Sequence, residues 1–261
     1  MDADYEKLLR MMQNLRTKLI AALAERDELV FWTATDMEAD YMQKVGILEY
    51  KVVEFRYLAA RMKLKVQLMQ KAAQEQVPLL LPQVEKQLDE HMKASIQDVT
   101  KRRRHLNRVM AREPQKPIPV AAQVQMRQLY RTMIDRYHPL LHGHQSREDA
   151  AFFGNCALAF RMRDLVRMQQ LEWMMMPIAE WAEGEIGLET MKKELPRLRE
   201  LWTKTTEEIR KLRSVFPLNQ AGLLMDDLRV HERQQLLQEE IEHQRAIYRA
   251  EDAKLTELLG E

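Results

Sequence analysis

Apolar positions recur at alternating steps of three and four along most of the chain, a spacing that predicts long amphipathic helices. From residue 2 to about 32 the stripe is Tyr5, Leu8, Met12, Leu15, Leu19, Ala22 and Leu29, interrupted by Arg26. Phe31 to Asp36 reads as a break, with Thr35 or Asp36 as N-cap of the next helix. That helix carries the most regular pattern: Tyr41, Val45, Leu48, Val52, Phe55, Ala59, Met62, Val66 and Met69. A strict 3.5-residue repeat keeps one seam facing a partner helix. Extended to about Gln76, the helix spans roughly 60 Å at ~1.5 Å per residue. No globular core supports that length, so the helix needs a partner.

Pro78 and Pro82 bracket Leu79, Leu80 and Leu81 and end it. A more polar third helix, about Gln83 to Arg112, has Val84, Leu88, Met92, Ile96 and Val99 as its inner stripe. Pro114, Pro117 and Pro119 make residues 113–119 a linker. Two shorter helices follow up to Leu165. The first buries Val124, Leu129, Met133 and Ile134, and the second is N-capped by Ser146, with Glu148 and Asp149 in its first turn. Met168, Leu171, Trp173, Met174, Met175, Met176, Ile178 and Trp181 then form a Met-rich stretch read as irregular core rather than as a peptide groove, closed by Gly184 and Gly187. A further heptad series is Leu188, Met191, Leu195, Leu198, Trp202, Thr205, Ile209, Leu212 and Phe216, with Pro196 either kinking the helix or marking its start. The last helix, about Asp226 to Leu259, has the stripe Val230, Leu237, Ile241, Tyr248, Leu255 and Leu258. Its short connection to the preceding helix predicts an antiparallel hairpin.

Composition supports the same class. Charged residues are 31% and apolar ones 46%, with only 7 Gly and 9 Pro, which suits long helices and leaves no sustained strand pattern. The expected fold is all-α, with long antiparallel coiled-coil helices flanking a small helical hairpin. Its expected regions are 1–112, the linker 113–119, a central unit 120–184 and a C-terminal hairpin 185–261. Net charge of +1 gives no global reason for nucleic acid or an anionic membrane. One cysteine, Cys156, excludes an intrachain disulfide and suits a reducing compartment. With no signal-peptide layout at the N-terminus and no run of ~20 apolar residues, a soluble cytoplasmic protein is expected.

The stretch from Leu129 to Leu140 carries the most specific signal. Tyr130, Arg131, Tyr137, His138 and Pro139 fall in register with helix II and the loop of a J-domain, and Phe153, Cys156, Ala159 and Phe160 match the helix that follows. The stretch therefore resembles a J-domain, the DnaJ-type module that engages a DnaK-type ATPase. The usual first J-domain helix is absent before Val120, so a neighbouring helix must cover the face it leaves. The chain as a whole resembles, less specifically, bacterial proteins with a J-like centre between coiled-coil arms. The resemblance implies a partner-binding surface made of Arg127, Arg131, Arg136, Tyr137, His138, Pro139 and Leu140. In the family an Asp closes the tripeptide and meets an Arg of the ATPase, whereas here Leu140 has no charge. Losing one member of an interfacial charge pair costs roughly 2–5 kcal/mol when the other stays buried, so stimulation of the ATPase through that contact is not expected.

The remaining chemistry is sparse. His138, His142 and His144 lie close together without Cys or carboxylate at recognised ligand spacing, so no metal is expected. Cys156 stands in an aliphatic core position and is not expected to act as a nucleophile. No phosphate-binding glycine loop, nucleophile elbow or zinc-protease motif occurs, and neither catalysis nor a cofactor is expected. Lys101, Arg102, Arg103, Arg104, His105, Arg108 and Arg112 read first as favourable charge at a helix C-terminus, and secondly as a patch for nucleic acid or an acidic partner. Three functions follow in order of expectation: a non-catalytic protein-protein interaction scaffold, with a homodimer among its options; a divergent co-chaperone of a DnaK-type ATPase; and nucleic-acid binding through the basic run.

Overall fold

The computed structural model describes residues 3–76, 81–112, 118–142, 146–175 and 187–259. Pro78, most of the 113–119 linker, Gly143, His144, Met176, Ile178, Trp181 and Gly184 lie outside them. The described residues are helical with no strand, so the all-α class holds. In chain order the helices are α1 (Ala3–Glu28), α2 (Ala34–Tyr41), α3 (Ile47–Gln74), α4 (Leu81–His91), α5 (Lys93–Met110), α6 (Val120–Tyr137), α7 (Arg147–Arg161), α8 (Leu165–Met174), α9 (Leu188–Ser214), α10 (Ala221–Leu224) and α11 (Asp227–Leu259). Contacts divide the chain into two units, one of residues 1–36 and 115–219, the other of 37–114 and 220–261. Each draws on both halves of the sequence, in place of the contiguous regions expected.

The break expected at Phe31 to Asp36 does not form. Leu29–Thr33 is a π-helical turn, and Ala34 keeps helical angles (φ −63°, ψ −39°) and donates its N–H to the Leu29 carbonyl. A second π turn covers Met42–Gly46. Each inserts residues into the 3.6 repeat and rotates the buried stripe, which brings Trp32 inward.

In the first unit, α6, α7 and α8 pack around Met126, Leu129, Tyr130, Met133, Ile134, Cys156, Phe160, Met168 and Leu171, and Leu19 and Leu23 of α1 join that core. α1 thus covers the face that α6, α7 and α8 leave open. Val124, expected inside, is exposed, and Met126 takes the buried position. α6 begins after Pro119 and stops at His138, whose extended angles (φ −74°, ψ 126°) are those a residue before proline prefers. Ser146 caps α7 as expected, accepting from the Asp149 N–H at 3.0 Å. Between α7 and α8, Arg163 sits in the left-handed region at φ 56°.

α9 packs along α1 and runs through Pro196 without a break. The contacts fix its direction: Lys18 stands 5.9 Å from the Trp202 ring, Arg26 3.7 Å from Glu208, and Glu25 2.7 Å from Arg213. Positions rise together along both helices, so the pair is parallel.

In the second unit the seam of α3 is as read from the heptads, with Tyr41, Val45, Val52, Ala59 and Val66 buried. Its main partner is α11, through Val230, Leu237 and Ile241. Glu49 pairs with Arg233 at 2.8 Å and Arg56 with Glu240 at 3.0 Å, which makes this pair parallel as well. The antiparallel hairpin expected of the last two long helices is therefore corrected: α9 takes α1, and α11 takes α3. A heptad seam specifies which face is buried, not which way the partner runs, and these ion pairs meet only in the parallel register. Leu258, expected in the α11 stripe, is exposed. The third helix is interrupted at Met92 (φ −103°, ψ 12°), which resets its phase. Val84, Leu88, Val99, Leu106 and Val109 are buried, while Ile96 faces outward.

Candidate functional site

The residues that the resemblance singles out gather toward the C-terminal end of α6. His138 is buried. Its Nδ1 accepts the Leu140 N–H at 3.1 Å, and its ring stands edge-on to Phe153 at 4.9 Å. Burial pulls the imidazole down from 6.5 to about 4, helped by the nearby Arg26 and His142 charges and opposed by Asp27. A neutral, buried ring of this kind shapes the turn and presents nothing to a partner.

The rest of the turn is held by the chain's own helices. Arg197 of α9 donates to the Leu140 carbonyl at 2.9 Å. Arg16 of α1 binds Asp135 twice, at Oδ1 and at the carbonyl, each at 2.7 Å, and His142 Nε2 lies 2.8 Å from the same carbonyl. Arg127 meets both carboxylate oxygens of Glu28, which raises the guanidinium pKa. Tyr137 is half-buried against Phe152. Of the residues singled out by the resemblance, Arg131, Pro139 and Leu140 face outward, Arg136 is half-buried, and His138 and Arg127 are turned to internal contacts.

A cavity of about 390 Å³ opens beside α6, over Tyr130 and Phe160, with Glu25, Glu28, Arg127, Arg131 and Arg213 around it. Two ion pairs, Glu28 with Arg127 and Glu25 with Arg213, take up most of its charge. No group of three His, Cys, Asp or Glu side chains able to hold a metal occurs among the described residues. Cys156 is buried, and burial pushes its thiol up to about 12, which leaves it inert as a nucleophile at neutral pH.

The Met-rich stretch is only partly core. Met168 and Leu171 are buried, but Trp173 is 90% exposed and Met174 also faces out. α8 is a single short helix that buries one side, and Trp173 shares the opposite side with Val166. Leu158 and Met162 are exposed at the end of α7.

The basic run is sorted by its surroundings. Arg102 pairs with Asp98 at 2.8 Å, Arg112 pairs with Glu38, and Arg103 lies close enough to Tyr50 to oppose the rise in that phenol's pKa. Lys101, Arg104 and Arg108 are exposed.

Sequence reasoning missed the partners: Arg16, Asp27 and Glu28 on α1, and Arg197 on α9. Their one visible signal is an Arg26-Asp27-Glu28 run crossing an otherwise apolar stripe, where charges persist only if paired. No family model, curated protein or solved structure matches the chain. No helix of the described residues is long and apolar enough to cross a membrane.

Proposed function

We propose that this protein is a non-catalytic, cytoplasmic protein-protein interaction scaffold in which a J-like helical hairpin serves as a packing platform for the parallel pair of α1 and α9. The observation that carries this reading is the state of Leu140. Its side chain is uncharged, and its carbonyl is held by Arg197. The groups that a J-domain would turn toward an ATPase are used inside the fold, with Arg127 on Glu28 and His138 buried. Exposed Trp173, Val166 and Met162 support an interaction role, since large apolar side chains on a surface favour a protein partner.

A second reading, a divergent co-chaperone, draws on Arg131 and Leu140, which remain outward on the J-like side. ATP turnover by a DnaK-type chaperone separates the two, measured with the wild type and with Leu140→Asp. The scaffold reading expects no stimulation by the wild type at micromolar protein. Stimulation by the wild type overturns it. A gain with Leu140→Asp alone identifies a J-surface that lacks only its acid.

A further inference from the structure

We propose that the outward face of α5 binds the phosphate backbone of duplex DNA without reading its bases. α5 buries Val99, Leu106 and Val109 on one side. On the other, Lys93, Gln97, Lys101, Arg104 and Arg108 follow one another at steps of four, four, three and four, all exposed. Two neighbouring cations have partners, Arg102 on Asp98 and Arg112 on Glu38, while Arg103 lies toward Tyr50. The only acidic residue of α5, Asp98, is the one held by Arg102. Its outward face is therefore one sign of charge over about 22 Å, at ~1.5 Å per residue.

The shape of the charge selects the ligand. A small anion is held by donors converging on one point, whereas these are strung along a line, with a shallow groove of about 430 Å³ between them. A duplex presents one negative charge per ~1.7 Å of its axis, a matching linear array. A membrane surface asks for an apolar stripe beside the cations, and here Ile96 alone supplies one in the groove. An acidic helix asks for an aromatic or aliphatic anchor in a desolvated pocket, and the groove offers only the solvent-exposed Ile96. Single strands are held by stacking on aromatic rings, and α5 contains no aromatic residue of that kind. Between duplexes, the major groove of B-form DNA admits a helix, whereas that of A-form RNA is too narrow.

The test is anisotropy of a fluorescent 30-base-pair DNA duplex titrated with the full chain at several salt concentrations. Four phosphate contacts give a log K against log salt slope of about −3.6, or an affinity loss of about 150-fold between 50 and 200 mM salt. The triple variant Lys101→Glu, Arg104→Glu, Arg108→Glu is exposed at every position and is checked for helicity by circular dichroism. It is expected to lose at least 100-fold in affinity, while Arg102→Gln, whose charge is already paired, changes it less than 3-fold. No binding at 50 mM salt overturns the proposal, as does a salt-insensitive constant or an unchanged triple variant. Tighter binding to single-stranded DNA, polyglutamate or anionic phosphatidylserine vesicles than to the duplex overturns it too, and assigns the face to that class instead.

Discussion

The Tyr130 hydroxyl donates to Asp27 Oδ2 at 2.7 Å, and both side chains are buried. This contact ties α6 to α1 across the core of the first unit. The other carboxylate oxygen of Asp27 accepts from Arg26, so the acid is neutralised and hydrogen-bonded where it lies. Burial and the Asp27 charge raise the Tyr130 pKa, which keeps the phenol a donor.

Tyr130→Phe keeps the ring stacked on Phe160, 4.0 Å away, and removes only the donor. The buried oxygen left without it costs about 1–3 kcal/mol. Urea unfolding measures this, and an unchanged midpoint would show that the Tyr130–Asp27 bond carries no stability.

His138 makes the first unit sensitive to acid. Above its ordinary pKa of 6.5 the ring is neutral folded and unfolded, and its contribution is complete. As pH falls from 6.5 toward about 4, the unfolded chain binds a proton that the folded ring refuses, and stability declines. The decline approaches about 3 kcal/mol. Arg26, Asp27 and His142 face the ring, so the measurement is the difference between wild type and His138→Gln, which is expected to be flatter over that window. Parallel pH curves would refute the assignment.

The register of α6 separates two neighbouring apolar residues. Met126→Ala, at a fully buried position, is expected to lose about 2–5 kcal/mol, and Val124→Ala, at an exposed one, under about 0.5 kcal/mol. The reverse order would place the helix face as the bare sequence suggests.

Arg163 occupies a left-handed position where glycine is usual, at φ 56°. The reason is its side chain, which pairs with Asp36 and lies 5.3 Å from the centre of the Trp32 ring. Arg163→Ala loses those contacts and keeps the backbone strain. Arg163→Gly loses the contacts but relieves the strain, so it is expected to be about 1 kcal/mol more stable than the alanine variant. Thermal unfolding of the two variants side by side tests this ranking.

Cys156 is expected to resist a thiol reagent in the native protein and to react fully in denaturant, its pKa being held near 12 by burial. Rapid native labelling would mean that α7 opens.

Much of this architecture is legible in the residues. The α3 heptads, the Ser146 cap and the stop at His138-Pro139 follow from periodicity, cap chemistry and proline, while Cys156 and Phe160 are placed by the family resemblance. What escapes has definite physical causes. Thr35 and Asp36 are good caps, but a cap residue does not oblige a helix to start, and the π turn carries the backbone past them. Val124 and Met126 are both apolar and two residues apart, and only the placement of α1 decides between them. The direction of the helix pairs shows only in contacts such as Glu49 with Arg233, which lie far apart in the sequence and advertise themselves in neither segment. The tethering of Leu140 by Arg197 is invisible for the same reason.

The parallel pairing has a consequence for how the chain is made. Residues that meet across α3 and α11 are separated by 184 to 190 positions, as with Arg56 and Glu240 or Lys44 and Gln234. At a translation rate of ~5–20 residues per second, the second strand of that seam emerges about 10–40 s after the first. During that interval Tyr41, Val45 and Val52 lack the Val230, Leu237 and Ile241 side chains that cover them. Nascent chains stalled before residue 227 are therefore the species most exposed to aggregation and to capture by holdases, and the order of synthesis, rather than the stability of the finished protein, sets how long that exposure lasts.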